Sequence, residues 1–371
     1  MASNKKINTY NALKGIGAIG ILFSHMSYLE NSNNQFWKCF WAFFMSKCAV
    51  FTSFFFICSG FFLDYAWKKK GYKEYIIGKL KRIYPLVFVV FVLALIIRII
   101  VPDDLVAKGS GIWYFDIFAN IFLFKSLIPD ERVFYSFHGP SWYISALFLF
   151  FIVAYPFVKN MHSSDSEKWK KRTLLVCGVT YLIELIICVA VDLSQTPKLW
   201  LCYVNPWFRA FGEGMIGVLL SQYMPVIQNG IRRITGSLLE ILSLTIIIID
   251  IVFRDTFHLS FSWAWIQFIP MGFLLIAFRM EKGCISKILK KRPFQFLGNI
   301  SFELYMTHAF VYEGLPIASG ILSNNLKTWL VNHGGTRFLI TLCLSIVFAW
   351  IVNVLNRMFN KRLRVKSNNN G

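Results

Sequence analysis

Apolar residues in this chain gather into blocks long enough to cross roughly 30 Å of hydrocarbon as helices. Short segments rich in lysine and arginine separate them. The pattern predicts spans at 11–29, 43–66, 83–101, 142–158, 173–191, 206–223, 237–253, 261–279, 294–313 and 338–358. An eleventh apolar stretch, 112–128, is ambiguous by hydropathy. Loop charge decides it, because short cytoplasmic loops carry an excess of Lys and Arg. The loop 67–82 holds Lys68, Lys69, Lys70, Lys73, Lys79, Lys81 and Arg82, and the loop 159–172 holds Lys159, Lys168, Lys170, Lys171 and Arg172. Both fall inside only if 112–128 lies in the interface or re-enters. Arg232, Arg233, Lys282, Lys287, Lys290, Lys291, Arg292 and the tail cations Lys361, Arg362, Arg364 and Lys366 then fall inside too. The expected fold is all-α and polytopic, with ten transmembrane helices, both termini cytoplasmic and an outward segment at about 102–141.

Composition agrees. Of 371 residues, 56% are hydrophobic and 16% charged, against about 25% charged in soluble domains. No polar stretch is long enough for a separate soluble domain. We expect one transmembrane domain, 1–366, and a disordered polar tail, 367–371. The net charge of +20 invites a nucleic-acid reading, but the basic residues sit in short loops, as topology demands. No nucleic-acid partner is expected; anionic lipid headgroups of the bilayer are. The eight cysteines are scattered without a CxxC pair, so neither a disulfide framework nor a metal site is expected. Lys5 and Lys6 precede the first apolar block, which Lys14 interrupts. It reads as an uncleaved first span.

The first span carries the candidate chemistry. Lys14 and His25 are eleven residues apart, about three helical turns, so they share one face and stand roughly 16 Å apart. A lysine inside a bilayer is costly unless it snorkels to a headgroup or faces a polar interior. Lys79 and Arg82, three apart at the cytoplasmic start of the third span, can meet one anion together. They are also ordinary positive-inside anchors in form. His138 lies just outside the fourth span, and His308 lies in the outer part of the ninth, sharing a face with Ser301. Arg209 and Glu213 are four apart and read as a helix-internal pair. Cations therefore gather at the inner mouth and histidines at the outer side. Histidine is the usual general base near neutral pH, and phosphate-rich donors need cations. That division suits acyl transfer from a cytoplasmic acyl-CoA to an acceptor on the other face.

At these residues the chain resembles the integral-membrane acyltransferase-3 family, the ten-span bacterial O-acyltransferases of surface polysaccharides. Lys14 and His25 stand at the spacing of that family's Arg and His. Phe54-Phe-Phe-Ile-Cys-Ser59-Gly60 resembles the end of its second span, and Lys79, Arg82 and Pro85 the start of its third. Trp142-Tyr-Ile-Ser145 and Ile300-Ser-Phe-Glu-Leu-Tyr-Met-Thr-His308 resemble its fourth-span and late-helix motifs. The resemblance implies a multi-pass plasma-membrane enzyme that moves an acyl group, usually acetyl, from acyl-CoA to a sugar hydroxyl of a cell-surface glycan or lipid-linked sugar. The family's first-span histidine is regarded as essential, which implies His25 in the catalytic centre. We expect it to act as general base or acyl relay with His308 beside it, and Lys14, Lys79 and Arg82 to hold the CoA phosphates. His138, Trp142, Ser145 and Ser59 would lie on the acceptor. No metal is implied, and the oligomeric state is open. Lysine at position 14 departs from the family's arginine, keeping the charge but losing the bidentate fork. A transporter or exporter of a glycan or lipid-linked intermediate, with the same residues lining a path, is the alternative.

Overall fold

A computed structural model describes residues 7–67, 71–100, 113–163, 165–194, 201–230, 235–253 and 266–369. Lys68–Lys70, Arg232, Arg233 and the stretch 101–112 lie outside the described residues, as do the side chains of Cys188, Cys202 and the tail cations. The described residues are helical, without a strand. The helices are α1 (Asn8–Ser24), α2 (Gln35–Phe43), α3 (Phe51–Trp67), α4 (Tyr72–Ile100), α5 (Trp113–Ile121), α6 (Glu131–Tyr135), α7 (Ser141–Met161) and α8 (Ser166–Ser194). They continue with α9 (Leu201–Gly230), α10 (Gly236–Phe253), α11 (Phe268–Arg279), α12 (Cys284–Leu289), α13 (Arg292–Asn299), α14 (Ser301–Leu322), α15 (Asn324–Asn332) and α16 (Gly334–Asn369).

Five segments among the described residues are long and apolar enough to cross a membrane: Gln35–Trp67, Tyr72–Ile100, Ser141–Met161, Gly236–Phe253 and Gly334–Met358. Leu174, Leu182, Ile186, Ile248, Ile249 and Leu344 are exposed, giving the perimeter the apolar surface that lipid requires. The protein is a polytopic all-α membrane protein.

The ambiguous stretch 112–128 forms only the nine-residue α5 and a 3₁₀ turn, Lys125–Leu127. At 1.5 Å per residue, nine residues reach about 13 Å, too short to span. Asp116 of α5 meets Arg98 near the end of α4 at 3.8 Å, so this segment lies at one end of the bundle. At the opposite end, Asn11 bonds Asn299, and Asn353 donates to the Asn299 carbonyl. The start of α1 and the later part of α16 therefore lie at one end. The basic loops converge there as well, through Thr9 on Glu281 and Asp64 on His162.

Two expected boundaries move. Within Gln35–Trp67 the α-helix expected from 43 begins at Phe51, because Asn34 caps a separate α2 (its Oδ1 accepts from Phe36 N at 2.9 Å) and a 3₁₀ turn, Met45–Val50, follows. The span expected at 294–313 breaks at Ile300. α13 turns its polar residues onto α1, where Gln295 and Asn299 receive the Asn11 amide, and the spanning element becomes α14.

Glycine sets the closest approaches. A Cβ at Gly60 would run into the backbone of Gly214, and one at Gly217 into the carbonyl of Ile57. α3 and α9 thus pack backbone to backbone through small residues. Gly15 of α1 meets the backbone at Gly298 of α13 in the same manner. These contacts fix α1 and α3, which carry Lys14, His25 and Ser59.

Candidate active site

α1 remains helical from Asn8 to Ser24, and His25 caps it with a helical backbone. Lys14 and His25 therefore keep the separation expected of them. Two groups of side chains assemble around these points.

The inner group joins α1, α3, α4 and α7. Lys14 Nζ lies 5.0 Å from the Phe62 ring centre, and Lys79 Nζ lies 4.0 Å from that of Phe151 and 5.3 Å from that of Tyr75. Aromatic faces are favourable supports for a cation. The charges of Lys14 and Arg82 act on Lys79, and those of Lys14 and Lys79 on the Cys58 thiol. Among the described residues no carboxylate pairs with Lys14, Lys79 or Arg82. Three basic side chains thus stand within electrostatic reach of one another with no carboxylate between them among the described residues. Ser59, beside Cys58, sits against the Tyr143 hydroxyl.

The outer group joins α1, α14 and the entry to α7. The His25 and His308 ring centres are 5.1 Å apart, and Tyr312 stacks on both, at 5.7 and 6.2 Å. His308 Nδ1 donates to the Tyr305 carbonyl at 2.6 Å. A carbonyl only accepts, so Nδ1 carries the proton and the neutral ring keeps its lone pair on Nε2. That Nε2 is buried and makes no hydrogen bond. It is a base-type nitrogen left without a partner in the cluster of His25, His308 and Tyr312. Tyr305 also donates its hydroxyl to the Pro140 carbonyl at 2.7 Å, pinning α14 to the start of α7. His138, just before that start, lies 5.3 Å from Phe310 ring to ring, with neither ring nitrogen hydrogen-bonded. Burial, with the charge of Lys125, holds its imidazole well below the usual value, so it stays neutral.

An aromatic string links the groups. Tyr143 lies 4.5 Å from Phe56 and 5.2 Å from Tyr305, and Tyr305 lies 5.8 Å from His308. Of the expected acceptor residues, Ser59 and His138 sit on or beside this path. Trp142 packs against Phe134 and Phe56. Ser145 donates to the Leu123 carbonyl at 2.5 Å and bonds Ser126 at 2.9 Å. Its hydroxyl fastens the interfacial segment to α7. Ser301 donates to the Gly298 carbonyl at the break before α14. Arg209 and Glu213 form the expected pair at 3.0 Å, extended by Ser53 and Gln267.

Sequence reasoning passed over Lys125. It is 1% exposed, and its Nζ donates to the carbonyls of Ser136 (2.6 Å) and His138 (2.9 Å), with Ser141 Oγ at 3.2 Å and Asn120 Oδ1 at 3.4 Å. The ammonium closes the loop that presents His138, and Phe137 within it takes a left-handed backbone, φ 55°. This residue lies in the interfacial segment, and burial pushes it down to about 7. Lys125 interrupts the ambiguous apolar stretch 112–128 as Lys14 interrupts the first span, but its partners at Ser136, His138 and Ser141 had no local pattern. Tyr305 and Tyr312, at three before and four after His308, were legible as neighbours on its helix face.

The chain matches the family described as Acyltransferase domain (Acyl_transf_3) over residues 7–354. It is also similar to "Acyltransferase MdmB" of Streptomyces mycarofaciens, 23% identical over 327 residues that cover 83% of this chain and 79% of that protein. No solved structure matches it.

Proposed function

The chain belongs to the acyltransferase family and is a membrane acyltransferase, and on that premise we propose that it moves an acyl group from cytoplasmic acyl-CoA to a sugar hydroxyl. Acetyl is the expected group, and a cell-surface glycan or lipid-linked sugar at the plasma membrane is the expected acceptor. The observation that carries this reading is the division along α1: unpaired cations at Lys14, Lys79 and Arg82, and a histidine pair at His25 and His308. An eleven-residue helical offset is about 16 Å. A pantetheine arm, comparable to about five extended residues, covers that length. CoA phosphates on the inner cations thus bring the thioester to the histidines.

In this reading the acceptor hydroxyl gives its proton to His308 Nε2 while its oxygen attacks the thioester carbonyl carbon. The tetrahedral oxyanion collapses, the carbon–sulfur bond breaks, and His25 passes a proton to the leaving CoA sulfur. Proton transfer from His308 to His25 resets the pair. Tyr305 holds His308 in the tautomer that the first step needs. His138 and Ser59 contact the acceptor or the arm along the aromatic string.

The test is transfer of labelled acetyl from acetyl-CoA to a sugar acceptor by purified protein in lipid nanodiscs. We expect label in the acceptor with wild type and loss on His25→Ala with CoA binding intact. Binding without transfer in wild type, across a panel of glycan and lipid-linked acceptors, would refute the reading.

A further inference from the structure

A second basic site lies at the end of the bundle that carries the basic loops. A cavity of about 320 Å³ is lined by Gln228 and Asn229 of α9, Arg279 of α11, and Met280 and Lys282 just after it. Its lining has two cations and two amides and no carboxylate. Arg279 Nε is buried without a hydrogen bond, and neither Arg279 nor Lys282 has an ion pair among the described residues.

The intervening carboxylate is held elsewhere. Glu281 adopts a left-handed backbone, φ 54°, which is rare for a residue with a side chain and turns it away from its neighbours. Its carboxylate accepts from Thr9 N at 3.0 Å on α1 and faces Lys290 Nζ at 3.8 Å. The turn thus sends Met280 and Lys282 to the cavity and Glu281 to α1, leaving the positive charge of the cavity uncompensated.

The cavity is also connected to the inner cations. Thr9 Oγ1 donates to the Phe278 carbonyl at 2.9 Å and Tyr10 Oη to the Leu275 carbonyl at 2.6 Å, so the first turn of α1 lies along the end of α11. Tyr10 meets Phe62 at 6.0 Å, and Lys14 sits over that same Phe62 ring. The charge of Arg279 reaches Tyr10. An elongated ligand with phosphate at Lys14 can therefore place a further phosphate beside Arg279.

We propose that this cavity binds the nucleotide end of the acyl-CoA donor, with Arg279 and Lys282 on its ribose phosphate and Gln228 and Asn229 on the base or ribose. This rests on the acyl-CoA reading above and extends it. Arg279 supplies the planar two-pronged donor that lysine at position 14 cannot. Lys14, Lys79 and Arg82 then keep the pyrophosphate, deeper and nearer the thioester path.

The test compares CoA with dephospho-CoA, which lacks the ribose 3′-phosphate. Binding is measured calorimetrically on the full chain in phosphatidylcholine nanodiscs. Wild type should bind CoA about tenfold or more tighter than dephospho-CoA, the discrimination expected of charge-assisted contacts. Arg279→Gln and Lys282→Gln should lose that preference while keeping the dephospho-CoA affinity, and Arg279→Lys should restore part of it. Retained dephospho-CoA binding shows that the variants are folded. Undiminished discrimination in both glutamine variants would overturn the proposal. So would unchanged CoA binding together with loss of phosphatidylglycerol retained by the purified protein, which would assign the cavity to a lipid headgroup. Failure of wild type to bind either form of CoA would instead overturn the donor reading itself.

Discussion

Replacing Lys125 with methionine removes the ammonium that closes the His138 loop while keeping a flexible side chain of similar length. Four contacts between 2.6 and 3.4 Å disappear. A hydrogen bond from a charged donor contributes about 1.5–3 kcal/mol, and a buried carbonyl left without a donor costs about 1–3 kcal/mol. His138 O keeps Ser141 Oγ at 2.6 Å and Ser136 O keeps His138 N at 2.7 Å, so neither carbonyl is left bare and the loss is that of the charged donor. Relief from burying the cation, worth several kcal/mol, offsets part of it. The expected net destabilisation is about 2–4 kcal/mol. It is read from unfolding of the detergent-purified protein, together with a fall in acyl transfer that exceeds any loss of CoA binding. The pH dependence gives a second reading. Burial lowers Lys125 from 10.5 to about 7, so between those values the unfolded chain holds a proton that the folded chain does not. Stability from this group therefore rises with pH across that window and is flat below it. The gap between wild type and variant should widen by up to about 1.4 kcal/mol per pH unit there. A variant as stable and active as wild type, with no pH-dependent gap, refutes the reasoning.

His308→Ala and His25→Ala should each lower transfer by about 10²–10⁴, the usual contribution of a general base, with acyl-CoA affinity retained; near-normal turnover in either variant removes that residue from the chemistry. Lys14→Arg should preserve or raise activity, whereas Lys14→Met should raise KM for acyl-CoA; an unchanged KM makes Lys14 a snorkelling anchor. Gly60→Ala should destabilise the α3–α9 contact by about 1–3 kcal/mol, seen as a lower melting temperature. In a background without native cysteines, cysteine at Ser163 should label from the cytoplasmic side and cysteine at Asn33 from the outer side; labelling of both from one side would reverse the assignment of the histidine cluster.

The positions of the helices were readable because lipid allows few other backbones: an apolar block must satisfy its own hydrogen bonds. The depth of Lys14, His25 and His308 followed from helical rise and loop charge. What hydropathy cannot register is a helix that lies along the bundle instead of crossing it. α13 was absorbed into the span expected at 294–313, and α2 fell in the interval between the first two expected spans, where no helix was expected. Side-chain pairings between distant segments were invisible for the same reason. Asp64 and His162, 98 positions apart and joined at 2.5 Å, had no local pattern. Gly60 was legible only as part of a motif. Its physical task, letting α3 reach the backbone of α9, belongs to the folded pair.

α1 works as a gauge. Lys14 and His25 are held in phase by just over three turns of uninterrupted helix, with the lower part anchored where Gly15 meets α13. A substitution between residues 16 and 24 leaves that phase alone. A one-residue insertion or deletion there turns His25 by about 100° away from His308 and changes its height by about 1.5 Å. Length changes in this nine-residue window should thus be far less tolerated than changes of side chain, although none of them alters Lys14 or His25. Among descendants of this chain, the window should drift in composition, Gly20 against Phe51 apart, while its residue count stays constant.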